Sequence, residues 1–421
     1  MTTWDWTEPS VWTKRMLAAL DAGVKGGKWY SLIDKLHPEA TLRAAFEQVK
    51  ANRGAAGVDH VTIERYASDL EANLARLSEE LRIGSYRPQA IRRHYIAKLG
   101  SPEKRPLGIP TVRDRVVQTA LRAALEPIFE RDFARHSYGF RPGRGCKDAL
   151  RRVAELLEAG YVHIVDADLK SYFDTIPKDR LLALVGRKVA DGRILALIES
   201  FLEQSVLDGL QRWTPEQGTP QGAVVSPLLS NIYLDPLDHL MAGRGYEMVR
   251  YADDFVVMCR SPAEAAAALA VVQHWTTDVG LLLHPTKTRL VDARVDGFDF
   301  LGYRFAGGRR RPRAKSLQRV KDAIRDKTKR TSGHSLARII ADLNSTLRGW
   351  FEYFKHSHPS TFRPLDGWVR RRLRSILRKR RRGKGISRGF DHLRWPNAYF
   401  AKHGLFNLQD AYALARQSSC R

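Results

Sequence analysis

The chain has 421 residues, enough for about two to four domains with cores of their own. It sets 71 Lys and Arg against 46 Asp and Glu, a net charge of +25, which is too lopsided for a surface charged only for solubility and calls for a polyanion, nucleic acid first. Cys146, Cys259 and Cys420 form no CxxC pair, the start shows no secretory leader, and the longest apolar run, "AAAALAVV", is too short for a bilayer; a disulfide framework, a zinc site and a membrane span are excluded, and a cytoplasmic setting is expected.

In chain order, "VWTKRMLAALDAG" predicts a short helix ended by Gly23. "ATLRAAFEQVKANRGAAG" predicts a second helix and "TIERYASDLEANLARLSEELRIG" a third. "YRPQAIRRHYIAK" and "RPLGIP" read as extended, and "RDRVVQTALRAALEPIFE" returns to helical spacing. "YVHIVDADL" is a strand; "KDRLLALVGRKV", "RILALIESFLEQ" and "SPLLSNIYLDPLDHLMAG" are helices. Strands follow at "YEMVRY" and "FVVMCR", then a helix opening on Ser261-Pro262, then extended "GFDFLGYRF". Strands and helices interleave without a repeated βαβ period, which predicts an α+β fold.

"AGGRRRPRAK" (306–315) reads as a linker into a basic helical region. Between Lys315 and Arg382 stand 20 Lys and Arg against 5 Asp and Glu, the footprint of phosphate binding. Leu336, Ile339, Ile340, Leu343, Leu347, Trp350, Phe351 and Phe354 form one apolar stripe there. The aromatic-rich stretch "GISRGFDHLRWPNAYFAKHGLFNLQDAYALARQ" reads as a small terminal module.

Against this basic background, "MVRYADDFVVMC" carries two adjacent aspartates. On a regular strand Asp253 and Asp254 would point to opposite faces; at the tip of a hairpin both can aim at one place. Two close carboxylates take up protons unless a cation neutralises them, and Mg²⁺ suits a few carboxylates while leaving room for phosphate. A third carboxylate would allow two ions about 3.5–4 Å apart, as in phosphoryl transfer. Asp166 and Asp168 share one face of "YVHIVDADL" and compete for that role; Asp168 is preferred because "DLKSYF" follows it, with Asp174 read as structural.

"DLKSYF", "GTPQGAVVSPLLSNIYLDPLD" and "YADD", in this order, resemble the successive polymerase motifs of reverse transcriptases. "RPLGIPTVRDRVVQTAL", "SYGFRPGRGCKDAL", "LLLHPTKTR" and "FDFLGYRF" resemble, more closely, the enzymes encoded by bacterial group II introns. "LRGWFEYFKHS" and "LRSILRKR" resemble the thumb, or maturase, domain of that family. The resemblance runs from about residue 30 to about residue 410.

It implies a right-hand polymerase fold: an N-terminal helical extension and the start of the fingers over 1–85, fingers and palm over 86–305, a basic helical thumb over 306–382 and a small DNA-binding-like module over 383–421. It implies that Asp168, with Leu169 beside it, Asp253 and Asp254 hold two Mg²⁺ ions for transfer of a dNTP to a primer 3′-hydroxyl. Phe173 matches the gate that excludes a ribose 2′-hydroxyl. Lys98 and Arg105 match triphosphate-binding residues of the fingers, Gln221 would line the nucleotide pocket, and Lys287 matches a lysine near the triphosphate that could protonate the leaving group. For Lys98, Arg105 and Lys287 a solvated basic position remains open. Phe140 and Arg141 match a template- and nucleotide-facing segment, with Phe140 equally suited to a core. Arg370, Arg371, Arg374, Arg378 and Arg380 would bind phosphates, whereas Trp350, Phe351 and Phe354 read as thumb core.

The activity implied is RNA-directed DNA synthesis together with binding of intron RNA as a maturase, aiding splicing and mobility on a DNA target. A domesticated relative in DNA repair or phage defence, and a splicing cofactor with a vestigial polymerase, are the other readings; the intact aspartates and Phe173 argue against the latter. Many family members end in an HNH nuclease with paired cysteines, which this sequence does not supply, so second-strand cleavage is not expected.

Overall fold

A computed structural model of the chain describes residues 4–97 and 104–419. It divides into two compact units, 1–291 and 292–421. The first is mixed α and β and the second mostly helical.

The first unit opens with helices Lys14–Ala22 and Glu39–Ala51. The single helix expected over 62–84 is two, Ile63–Ser68 and Leu70–Ile83, because Asp69 leaves helical geometry (φ −122°, ψ 38°). The Asn73 amide takes up the Tyr66 carbonyl at that break (3.0 Å).

Strands β1 (Ile91–Ala97) and β2 (Lys104–Ile109) pair antiparallel, with Arg92 opposite Ile109. Next in sequence come β3 (His163–Asp168), β4 (Val206–Asp208) and β5 (Gln211–Trp213). The hairpin β4–β5 turns at Gly209 (φ +59°) and joins a sheet ordered β2-β1-β4-β5. It had no sequence reading, since its strands are three residues each.

The central sheet uses β6 (Glu247–Tyr251), β7 (Asp254–Cys259) and β8 (Arg289–Asp292), in the order β6-β7-β3-β8. On one face Val165 and Ala167 of β3 and Phe255, Val257 and Cys259 of β7 are buried in a core with Leu229, Ile232 and Leu237 of the Ser226–Gly243 helix. The same core takes Ala265, Ala268 and Val272 of the Pro262–Asp278 helix, whose start is fixed by the Ser261 hydroxyl accepting from the Glu264 N–H. Burying that much apolar side chain makes the sheet a rigid platform, so residues at its strand ends are precisely held.

In the second unit "GFDFLGYRF" is two strands, β9 (Phe298–Phe300) and β10 (Tyr303–Ala306), turning at Leu301 and Gly302. The segment 306–315 is not a linker. Its Arg309–Pro312 stretch is β11, paired with β10 through a two-residue turn at Gly307 (φ +55°) and Gly308 (φ +70°). Both turn residues need positive φ, and glycine takes it without cost.

Helices Ala314–Lys327, Leu336–Phe354 and Phe362–Arg380 follow. The expected stripe is borne out: Ile339, Ile340, Leu343, Leu347, Phe351 and Phe354 are buried. The terminal stretch shares one core with these helices through Trp395, Phe400 and Leu408, and Asp366 accepts the N–H groups of Leu408 and Gln409 (3.1 and 3.0 Å). It is an outer layer of the helical unit rather than a separate core. No described helix is long and apolar enough to cross a membrane.

Candidate active site

The turn between β6 and β7 is as short as a hairpin allows. Tyr251 pairs with Asp254, leaving Ala252 and Asp253 as the turn. Asp253 therefore sits at the tip, as expected, while Asp254 is already the first residue of β7. On its other side Asp254 is the register partner of Asp168, the last residue of β3. Directly opposed residues present side chains to the same face, about 4.5–5.5 Å apart at Cβ. Register thus brings Asp168 and Asp254 together, with Asp253 one residue away.

Burial pushes the Asp253 carboxyl above its ordinary range and the negative charge of Asp168 adds to this, while Arg105 and Arg250 oppose it. The Lys287 ammonium donates to Asp168 Oδ2 at 2.7 Å, both groups being half-exposed. The competing Asp166 is held by the Arg289 guanidinium, whose Nε and Nη2 lie 3.0 and 2.9 Å from Oδ2. Leu169 has a buried side chain, so only its carbonyl could meet an ion. The Asp168 carbonyl accepts from His284 and the Lys170 N–H donates to Leu282, so strand alternation turns the Leu169 carbonyl to the opposite, β7 side.

Among the described residues no three His, Cys, Asp or Glu side chains gather closely enough to grip an ion. The donor set still fits Mg²⁺: hard carboxylate oxygens on one face, with a cation, Lys287, already against one of them.

Phe173 lies in a one-turn helix, Tyr172–Thr175, entered through Ser171 at positive φ (+50°). It is 8% exposed and edge-on to Tyr172, whose hydroxyl donates to the Ser230 carbonyl (2.8 Å). The "GTPQG" loop is laid against it: the Thr219 N–H donates to the Phe173 carbonyl (2.7 Å). A Cβ on Gly218 would stand 2.6 Å from that carbonyl, so the loop approaches this closely only with glycine there. Gln221 is fixed by its carbonyl, which accepts from Gly108 (2.6 Å), and its side chain bridges Arg105 (3.3 Å) and Asp174 (3.5 Å). Phe173, Asp174, Gln221, Arg93 and Trp213 are among the walls of a cavity of about 260 Å³. Lys98 lies outside the described residues.

Residues 96–305 match the family Reverse transcriptase (RNA-dependent DNA polymerase), and residues 317–395 match the Group II intron, maturase-specific domain. Protein YkfC of Escherichia coli K12 is 33% identical over 353 residues, 74% of this chain and 88% of that protein. The chain belongs to the group II intron reverse transcriptase and maturase family. Group II intron-encoded protein LtrA of Lactococcus lactis is 39% identical over 196 residues, 46% of this chain and 32% of LtrA, so the match spans about a third of that relative. A solved chain titled Partial Cas6-RT-Cas1--Cas2 complex aligns at TM-score 0.38 and 24% identity, covering 59% of this chain and 41% of that one, and adds nothing to the assignment.

A reverse transcriptase of this family binds template, primer and RNA, and works with divalent metal. Several basic residues expected to touch nucleic acid are engaged elsewhere. The side chain of Arg141 is 1% exposed; its Nε and Nη2 hold Glu130, and Nη1 donates to the carbonyls of Ala134 and Ser137 (2.6 and 2.8 Å). Arg374 is buried and donates to the Trp395 carbonyl (2.8 Å) and to Asn397 Oδ1 (2.9 Å), tying the maturase-specific helix to the terminal layer. Arg378 serves the Lys384 carbonyl and Asp391 (both 2.9 Å), and Arg380 donates to the His334 carbonyl. Arg371 is exposed and Arg370 half-buried, so these two, unlike Arg374, can face a polyanion. Phe140 is 47% exposed at positive φ (+58°), its ring 6.4 Å from that of Tyr251. It is not core.

The sequence reading missed Arg250, Asp238 and Asn231, all buried directly behind the aspartate turn. A charge inside the apolar run "MVRYADDFVVMC" was the available signal.

Proposed function

We propose that this protein extends a primer 3′-hydroxyl with deoxynucleotides on an RNA template at Asp168, Asp253 and Asp254, and that it binds intron RNA as a maturase. The observation that carries the catalytic half is the rung shared by Asp168 and Asp254 with Asp253 in the adjoining turn. When bound there, two Mg²⁺ ions would lower the pKa of the primer hydroxyl and neutralise charge on the leaving pyrophosphate.

The chain's own groups do the rest. Arg105 stands on the β2 strand of the fingers sheet, half of a hairpin whose partner is β1, with bidentate donors suited to a triphosphate. Gln221, braced by the Gly108 N–H, lines the nucleotide cavity beside Phe173. Phe173, buried and lining that cavity, would stand under the sugar and exclude a ribose 2′-hydroxyl, selecting deoxynucleotides. Lys287 moves its ammonium from Asp168 to the leaving phosphate and can supply the proton there. Splicing chemistry belongs to the RNA; the protein's part is to hold its fold, a role supported by the maturase-specific domain.

Primer extension by Asp253→Ala, run beside an intron-splicing assay, tests both halves. DNA synthesis is expected to vanish while splicing support persists; synthesis at the parent rate would remove the catalytic assignment.

A further inference from the structure

Arg250 is fully buried, which is costly unless every donor is matched. Each of its three nitrogens finds a partner, among Asp238, Asn231 and Ala252. Nε lies 2.8 and 3.0 Å from the Asp238 carboxylate oxygens, and Nη2 closes the fork on the same group. Nη1 donates to Asn231 Oδ1 and to the carbonyl of Ala252, both at 2.9 Å.

The last bond carries the inference, because Ala252 is the turn residue immediately before Asp253 and has φ of +59°. That conformation in the first turn position favours glycine, and an alanine there keeps it only when its surroundings hold it. A second contact does so from the other side. Asn231 Nδ2 donates to the Gly139 carbonyl (2.8 Å), and Gly139 lies so close that a Cβ on it would stand 2.2 Å from Ala252 N and 2.8 Å from the Tyr251 carbonyl carbon. The strap leading to Gly139 is hydrogen-bonded to Arg250 itself, whose N–H donates to His136 (3.0 Å) and whose carbonyl accepts from Tyr138 (2.9 Å).

We propose that Arg250, Asp238 and Asn231, closed by Gly139, form a positioning lock that sets the Ala252 turn and so aims Asp253 and Asp254 toward Asp168. None of the lock residues touches substrate; they act through the turn's backbone. The inference rests on the reading of these aspartates as the catalytic metal ligands. It predicts that loosening the lock weakens metal binding and the chemical step while leaving dNTP recognition, which uses Arg105 and Gln221, unchanged.

The test uses the full chain with Arg250→Lys, which keeps the charge facing Asp238 but loses the fork and the bond to Ala252. Asn231→Ala, which removes only the link between Arg250 and Gly139, serves should the first variant fail to fold. Melting temperature, Mn²⁺ binding by electron paramagnetic resonance without nucleotide, and primer extension against Mg²⁺ and dNTP are measured together. In a folded variant Mn²⁺ affinity falls about ten-fold and kcat about ten- to a hundred-fold, as for sub-ångström misplacement of reacting groups, with KM for dNTP within about two-fold. Parent Mn²⁺ affinity and kcat in a folded variant would overturn the lock, as would activity lost only in proportion to folded protein. Asp253→Ala is the reference: if it still synthesises DNA, the catalytic reading fails, independently of the lock.

Discussion

The ammonium of Lys287 stands 2.7 Å from Asp168 Oδ2, on a carboxylate that the proposed metal site would use. In that proposal lysine and metal compete for one oxygen. The pair is half-exposed, so it is worth at most about 1 kcal/mol, which corresponds to about five-fold in metal affinity. Lys287→Ala is expected to tighten Mn²⁺ binding by up to that factor, read by titration without nucleotide. The same variant slows single-turnover incorporation by about a hundred-fold if the lysine supplies the leaving-group proton. Unchanged incorporation would leave Lys287 as an electrostatic partner only.

Phe173 is one wall of the cavity proposed to receive the nucleotide, its backbone pinned by Thr219. Phe173→Ala is expected to admit ribonucleotides, narrowing the preference for dNTP over NTP by about 10–200-fold, the usual worth of a steric pocket contact. Competition between dCTP and CTP in single-nucleotide primer extension measures it. A preference that stays constant would place the discrimination elsewhere.

Arg141 and Arg371 make opposite predictions. Arg141→Ala strands the Glu130 carboxylate and two carbonyls in the interior, costing about 3–5 kcal/mol and lowering the melting temperature. The salt dependence of nucleic-acid binding should be untouched by it. Arg371→Ala, at an exposed position, should leave melting unchanged and reduce the slope of log affinity against log salt by about 0.7–0.9. Filter binding between 50 and 200 mM salt, on the order of the range over which such slopes are read, distinguishes the two.

Much of this was legible in the sequence, and the exceptions have physical causes. Asp168, Phe173 and the Asp253-Asp254 pair sit in short local motifs, so they can be singled out without knowledge of the fold. Their meeting depends on strand register, which places Asp254 on the strand and only Asp253 in the turn. Arginines misled most: a run of positive charge shows where phosphate could bind but not where each guanidinium's donors go. Arg141 and Arg374 spend theirs on carbonyls inside the fold. The stretch 306–315 reads as a linker, although its Gly307-Gly308 pair, between extended stretches, is a hairpin signal. For Arg250 the charge inside an apolar run signals that a buried partner is needed, but not that Asp238 and Asn231, 12 and 19 residues away, supply it.

The central claim is that Asp168, Asp253 and Asp254 act together as the metal-holding centre of DNA synthesis. The most direct measurement is primer extension on an RNA template by Asp168→Asn, a near-isosteric change that leaves Lys287 with an amide oxygen, combined with Mn²⁺ binding and melting of the same preparation. Synthesis is expected to fall by at least about a thousand-fold with Mn²⁺ binding weakened and melting preserved, the scale seen when an indispensable catalytic group is removed. Parent-level synthesis from a folded Asp168→Asn protein would contradict the account.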